Sequence, residues 1–124
     1  MVYYMQSDRK TKEVVLKLRY TKSKVDKERG IFHGGVALPK YLREFFIDIV
    51  DDYDFDMETE EFNKNGMYAI EISGTKRALK EIGKFFVNIA MFQTKDEDYH
   101  EHIDQLCNSD GNPIANIIIR KKTP

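Results

Sequence analysis

Pro39-Lys40-Tyr41-Leu42-Arg43-Glu44-Phe45-Phe46-Ile47-Asp48-Ile49-Val50-Asp51-Asp52 is the stretch that decides how this chain is read. Leu42, Phe45, Phe46, Ile49 and Val50 recur at helical spacing, with Lys40, Arg43, Glu44, Asp48, Asp51 and Asp52 filling the opposite side. Pro39 suits the first helical position, where its missing N–H would have no intrahelical partner. The spacing predicts a helix over 39–52. Acids crowd its C-terminal end, where the helix dipole disfavours them. A solvated surface run explains that at small cost; a functional demand is the alternative.

Downstream, Asn65-Gly66 signals a turn before Met67-Tyr68-Ala69-Ile70-Glu71-Ile72-Ser73, a strand with Tyr68, Ile70 and Ile72 on one face. Gly74-Thr75 then opens the clearest helix, with Thr75 as N-cap. Ala78, Leu79, Ile82, Phe86, Ile89 and Ala90 form its expected buried stripe. Tyr99 to Leu106 reads as a strand, 108–113 (NSDGNP) as a turn, and 115–120 as an apolar, central last strand. Upstream, Val14, Leu16, Leu18 and Tyr20 alternate with Lys17 and Arg19 as a half-buried strand, for which residues 2–5 offer a partner. Residues 21–30 read as a polar loop and 31–38 as a short strand weakened by Gly34-Gly35. The expected fold is α+β: a single antiparallel sheet of four to six strands with two helices packed on one face.

The chain has 124 residues and 14.6 kDa, enough for one domain spanning 1–124 with one modest core. Apolar residues at 41%, with eight Phe and seven Tyr, exclude general disorder. No run approaches the roughly 18 apolar residues of a transmembrane helix, and the N-terminus does not resemble a secretory signal. Cys107 has no second cysteine to pair with, so a reducing, cytoplasmic setting is expected. Net charge is −1, yet the charges are sorted. Residues 1–29 hold nine Lys/Arg against four Asp/Glu, while 44–61 hold nine acids and no base. Such a distribution bears on partners more than on fold.

Several spacings invite chemistry. In Asp98-Tyr99-His100-Glu101-His102-Ile103-Asp104, alternate residues share one face of a strand. His100 and His102 could together meet a zinc or manganese ion, although a flat strand spreads the outer acids too far apart. Asp52-x-Asp54-x-Asp56 suggests a calcium loop but has Met57 where the sharp-turn glycine belongs and Asn63 where the bidentate glutamate belongs. His33-Gly34-Gly35 has no nucleophile elbow to serve, and Cys107 has no activating partner in sequence. No phosphate-binding or dinucleotide motif occurs. No motif supports an enzyme, and no cofactor is expected. Tyr3, Tyr4 and Tyr20 among the basic first 29 residues offer stacking groups for nucleic acid, but the overall balance is acidic and nucleic acid is disfavoured.

The acidic belt is the most informative feature. Asp48, Asp51, Asp52, Tyr53, Asp54, Phe55, Asp56 and Glu58 interleave carboxylates with aromatics, and Met57 and Phe62 adjoin them. Aromatics and Met suit the dry centre of an interface, while carboxylates steer a basic partner to it. The plainer reading sends Phe55 and Phe62 into the core and leaves the acids to solvate a loop.

The second half, Glu71-Ile72-Ser73-Gly74-Thr75-Lys76-Arg77-Ala78-Leu79 with Tyr99-His100-Glu101-His102-Ile103-Asp104 and Ile117-Ile118-Ile119-Arg120, resembles a bacterial immunity-protein family of polymorphic toxin systems. The resemblance covers about residues 67–121. It implies a non-enzymatic cytosolic antidote that binds and blocks a cognate toxin, and it carries over no catalytic residue. The leading expectation is therefore an immunity-type protein whose 44–61 belt faces a basic protein toxin. Its rivals are a small metal-dependent hydrolase using His100 and His102, and a homo-oligomeric regulatory or structural domain.

Overall fold

The computed structural model describes residues 9–122. In chain order it comprises β1 (Tyr20–Asp26), β2 (Ile31–Val36), a 3-10 turn (Leu42–Glu44), β3 (Phe45–Asp56), β4 (Glu61–Gly74), α1 (Lys76–Met91), β5 (His100–Cys107) and β6 (Pro113–Arg120). The strands form three separate antiparallel hairpins, β1–β2, β3–β4 and β5–β6. This overturns the expected single sheet of four to six strands with two helices on one face: no ladder joins the hairpins, and α1 is the one α-helix among the described residues. No helix there is long and apolar enough to cross a membrane.

The stretch expected as a helix over 39–52 is mostly strand. Tyr41 has a left-handed backbone (φ 62), which a right-handed helix cannot pass through, and the single 3-10 turn after it gives way to β3 at Phe45. Packing gives the reason. Phe45 and Ile47 are 2% and 3% exposed, a period-2 pattern, whereas the helical pattern leaves Ile47 outside the apolar stripe. β4 supplies a partner along nearly the whole length, from Phe45 opposite Gly74 to Asp56 opposite Glu61. Intrinsic β-preference of Ile47, Ile49 and Val50 agrees with the pairing.

Other expectations divide. β2, the second part of β4, β5 and β6 lie where strands were read. β6 pairs only with β5 and is not central. The alternating Val14 to Arg19 segment precedes β1 without joining a strand, and Val14 and Leu16 of its expected inward face are exposed; the expected loop 21–30 instead holds most of β1 and its turn. The partner strand expected at 2–5 lies outside the described residues. Asn65-Gly66 forms no turn but a bulge inside β4, with Gly66 left-handed.

Helix α1 begins as expected. The Thr75 hydroxyl oxygen accepts from the Ala78 N–H at 3.3 Å, satisfying one orphan donor of the first turn. Its inward stripe is Ala78, Ile82, Phe85 and Ile89. Phe85, not Phe86, goes into the core, while Leu79 and Phe86 remain about half exposed. Around this stripe gather Val36 from β2, Phe45 and Ile47 from β3, Ile103 and Leu106 from β5, and Phe92 and Tyr99 from the connecting segment.

Polar clips join elements that no ladder connects. The Glu101 carboxylate accepts from the Val36 N–H (3.3 Å) and the Tyr99 hydroxyl (3.1 Å), tying β5 to β2. Burial, then the Glu101 charge, pushes the Tyr99 hydroxyl pKa up. The Asn88 side-chain amide, buried on α1, donates to the Arg19 carbonyl at 2.9 Å. Glu44 accepts from the Arg77 guanidinium and from the Thr75 hydroxyl (2.7 Å), and Arg77 lies 4.1 Å above the Tyr41 ring centre. These hydrogen bonds, led by that from Arg77, bring the Glu44 carboxyl from 4.5 down to about 2.

Backbone packing at Gly34 and the Glu44 contacts each set a stability that substitution can read. A Cβ on Gly34 would lie 2.5 Å from the Lys22 carbonyl oxygen, backbone that cannot turn aside, whereas one on helical Gly83 meets open space. Gly34→Ala should therefore cost about 1–3 kcal/mol, and Gly83→Ala should gain about 0.5–1 kcal/mol, as read from urea unfolding. Equal effects would refute the close approach of Gly34 to the Lys22 carbonyl where the β1–β2 register shifts. Because the folded-state pKa of Glu44 is depressed, its contribution is full above 4.5 and lost as pH falls through about 2. Glu44→Gln should lower the melting temperature at neutral pH, and the gap from the parent protein should close across that window.

Candidate functional site

Acidic residues and exposed apolar residues meet on the β3–β4 hairpin. Residues 45–74 carry nine acids and the single base Lys64, whereas the whole chain has 21 acids and 20 bases. The hairpin is thus net −8 and the remainder of the chain net +7. A total of −1 conceals a strong separation of charge, which orients encounters over distances near the Debye length.

The hairpin has a root and an arm. At the root, Phe45 and Ile47 are buried against the core. Beyond Ile47 the same face continues as Ile49 opposite Ile70 and Asp51 opposite Tyr68, now outside the core. Tyr68 is 73% exposed, and Ile70 and Ile72 are also largely exposed, although their alternation reads as a core face. Past the bulge, Tyr53 lies opposite Lys64 and Phe55 opposite Phe62, whose rings sit 5.0 Å apart. Phe62 is 70% and Met57 82% exposed. The plainer expectation that Phe55 and Phe62 enter the core therefore fails.

Most of the carboxylates expected to face a partner also shape the arm. Asp48 accepts from the Ser109 N–H (3.2 Å) and hydroxyl (3.0 Å), tethering the arm's root to the β5–β6 turn. Asp51 pairs with Lys64 at 3.0 Å on the exposed surface, a contact of small energetic value. The Asn65 side-chain amide donates to Asp52 (2.7 Å) and Asp54 (3.1 Å), while its carbonyl oxygen accepts from the Met67 N–H (2.9 Å). Asn65 thus pins the bulge. It also places an amide donor between the two carboxylates that a calcium ion would have to share, and these residues lie on a strand, not in a loop.

Asp56 builds the tip. Its carboxylate accepts from the Glu58 N–H (2.9 Å) and the Thr59 N–H (3.4 Å), and its carbonyl accepts from the Glu60 N–H (2.8 Å). Asp26 makes the same contacts with Glu28, Arg29 and Gly30 at the β1–β2 turn. The left-handed position is Gly30 there (φ 66) but Glu60 here (φ 56). A non-glycine residue in that region carries about 1–2 kcal/mol of strain. Glu58, Glu60 and Glu61 are left exposed around the tip. The structure thus gathers Asp51 to Glu58 on one arm and sets Asp48 at its root, with Glu44 committed to Arg77.

The histidines do not assemble a metal site. His100 and His102 share the outer face of β5–β6 with ring centres 6.2 Å apart. The Nδ1 of His100 pairs with the Asp98 carbonyl and that of His102 with the Asp104 carboxylate, each at 2.9 Å. Arg120 stands opposite His100 and Ile118 opposite His102, so a cation and an apolar group occupy the places of further ligands. Among the described residues no group of three or more His, Cys, Asp or Glu side chains is placed to hold a metal ion. Cys107 is half-buried, its thiol directed to the Gln105 carbonyl at 3.7 Å.

Compared with protein-family models, with curated proteins and with solved structures, the chain matches none.

Proposed function

We propose that this chain is a binding protein of the immunity type, which captures a basic protein partner on the β3–β4 arm in the cytosol and blocks it by occlusion. The observation that carries this reading is the arm itself: a net −8 hairpin whose outer half leaves Tyr53, Phe55, Met57 and Phe62 in water. An isolated domain gains nothing from that exposure, because apolar surface is favourable only once it is covered. Aromatic and Met side chains supply a desolvated anchor, and the surrounding carboxylates raise the rate of encounter with a basic surface. The resemblance over about 67–121 points the same way, toward a cognate toxin as that partner. A metal-dependent hydrolase finds no support in the arrangement of His100 and His102. Self-association has one observation in its favour, the sorting of −8 and +7 between arm and remainder, and light scattering across a concentration series separates it from capture of a foreign partner.

The test uses the tip acids that have no structural duty. Tagged protein is incubated with native cell lysate at low and moderate salt, and bound proteins are identified by mass. A stoichiometric basic partner should appear and weaken with salt. Glu58→Lys with Glu61→Lys should then slow its association by roughly an order of magnitude or more and flatten the salt dependence. Phe55→Ala, by contrast, should act mainly on dissociation. Undiminished capture by the charge-reversed protein would sink the assignment to the arm.

Glu60 separates stability from binding. Glu60→Gly relieves the left-handed strain and should stabilise the hairpin by up to about 1 kcal/mol in urea unfolding. It should also slow partner association, because it removes a carboxylate from the tip. A variant that is both more stable and equally fast in association would restrict Glu60 to the turn.

A further inference from the structure

Away from the arm, an open cavity of about 860 Å³ lies between the β1–β2 hairpin and the C-terminal end of α1. That volume falls within the range of small-molecule sites, roughly 300–1,000 Å³. Its walls are apolar in the main: Tyr20, Val25, Phe32, Met91 and Phe92 all contribute. Phe92 is buried and meets Tyr20 edge-on at 6.1 Å while stacking on Tyr99 at 4.9 Å, which fixes an aromatic floor. Tyr20, Val25 and Met91 are nevertheless exposed, so the site keeps apolar surface in contact with water. A hydrogen bond of 2.7 Å between the Ser23 and Thr94 hydroxyls ties the hairpin to the segment after α1 and holds the two walls together.

Beside the uncharged Ser23, Asn88, Gln93 and Thr94, the charged lining has one sign. Lys22 and Lys95 border the cavity, and no Asp or Glu does, although Asp96 and Glu97 follow Lys95 directly in the chain. Among the described residues neither lysine forms an ion pair. The C-terminal end of α1 presents partial negative charge, which works against an anion. There, however, the Lys121 ammonium donates to the Phe92 carbonyl at 2.9 Å and answers part of that charge. An apolar, aromatic-floored cleft with two free ammonium groups at its border matches a ligand with a hydrocarbon body and one anionic head.

We propose that this cavity is a binding site for an amphipathic carboxylate of the fatty-acid class. The hydrocarbon lies on the Phe92 floor between Tyr20 and Met91, and the carboxylate meets Lys22 and Lys95. The site is separate from the acidic arm, and its occupancy does not depend on the partner proposed for that arm.

Isotope-labelled full-length protein titrated with decanoate, decan-1-ol and decylammonium, all of one chain length and below their aggregation thresholds, tests this by amide chemical shifts. Decanoate should saturate a single site with shifts confined to about residues 18–25 and 88–95. Decan-1-ol should bind about tenfold more weakly, as two partly exposed charge contacts would predict. Lys22→Glu with Lys95→Glu should remove that advantage and leave decan-1-ol unaffected. Should the double reversal fail to fold, Lys22→Ala with Lys95→Ala carries the same expectation at smaller amplitude. Met91→Trp, which fills the cleft without altering charge, should weaken both ligands. Absence of saturable shifts in the cavity, decylammonium binding as tightly as decanoate, or shifts centred on Tyr68 and Ile70 would each overturn the proposal.

Discussion

Three hairpins that share no ladder hydrogen bonds must be held together by something else, and here it is the inward stripe of α1. Ala78, Ile82, Phe85 and Ile89 meet side chains from β2, β3 and β5 at once. Phe85 is 1% exposed and is the largest fully buried side chain among the described residues. Truncating such a residue removes about 3–5 kcal/mol, a large share of the 5–15 kcal/mol that small domains possess. The clips through Glu44, Asn88 and Glu101 are worth less individually, yet each crosses from one hairpin or turn to another element and fixes orientation. Apolar contact supplies cohesion in this fold, and side-chain hydrogen bonds, those of Glu44 and Glu101 charge-assisted, supply registry.

That division explains what was legible in the sequence. Thr75 and the alternation of Tyr68, Ile70 and Ile72 are local signals, and both elements form where they were read. Leu42 to Val50 satisfied the helical spacing because Phe45-Phe46 and Ile49-Val50 are adjacent apolar pairs, which match a helix and a strand alike. What decides between the two is non-local: a partner strand 61–74 and a core that accepts Phe45 and Ile47 together. Asn65-Gly66 misled for a related reason. A left-handed glycine serves a bulge as well as a turn, and only the carboxylates of Asp52 and Asp54 across the hairpin select the bulge. Sheet membership was the least legible feature, because a strand's pattern reports a buried face and says nothing of which strand lies beside it.

The candidate site was half legible. Clustered acids among aromatics marked 44–61, but the sequence could not show that Glu44 and Asp48 are spent on internal contacts while Tyr68 and Ile70 lie in water. Alternation assigned those two to a core that does not extend so far. Among the described residues ten make up the buried apolar cluster, too few to cover a hairpin of 12- and 14-residue strands. The surplus length is the origin of the arm.

Such an arm carries a liability. Long hairpins with open edges and apolar faces template pairing with other chains, and natural proteins blunt them with charge and bulges. Both devices occur here: carboxylates line the outer half, and Asn65-Gly66 interrupts the ladder midway. A lysine-rich edge would protect equally well against self-pairing, so protection alone does not account for the sign. Beside a remainder of net +7, a negative arm is attracted to other copies of its own chain at low ionic strength. Pure protection would place the same sign on the arm as on the body. An arm opposite in sign to the body is what the proposed capture of a basic partner calls for, and the exposed Phe55 and Phe62 would supply contact that holds after salt has screened the charges.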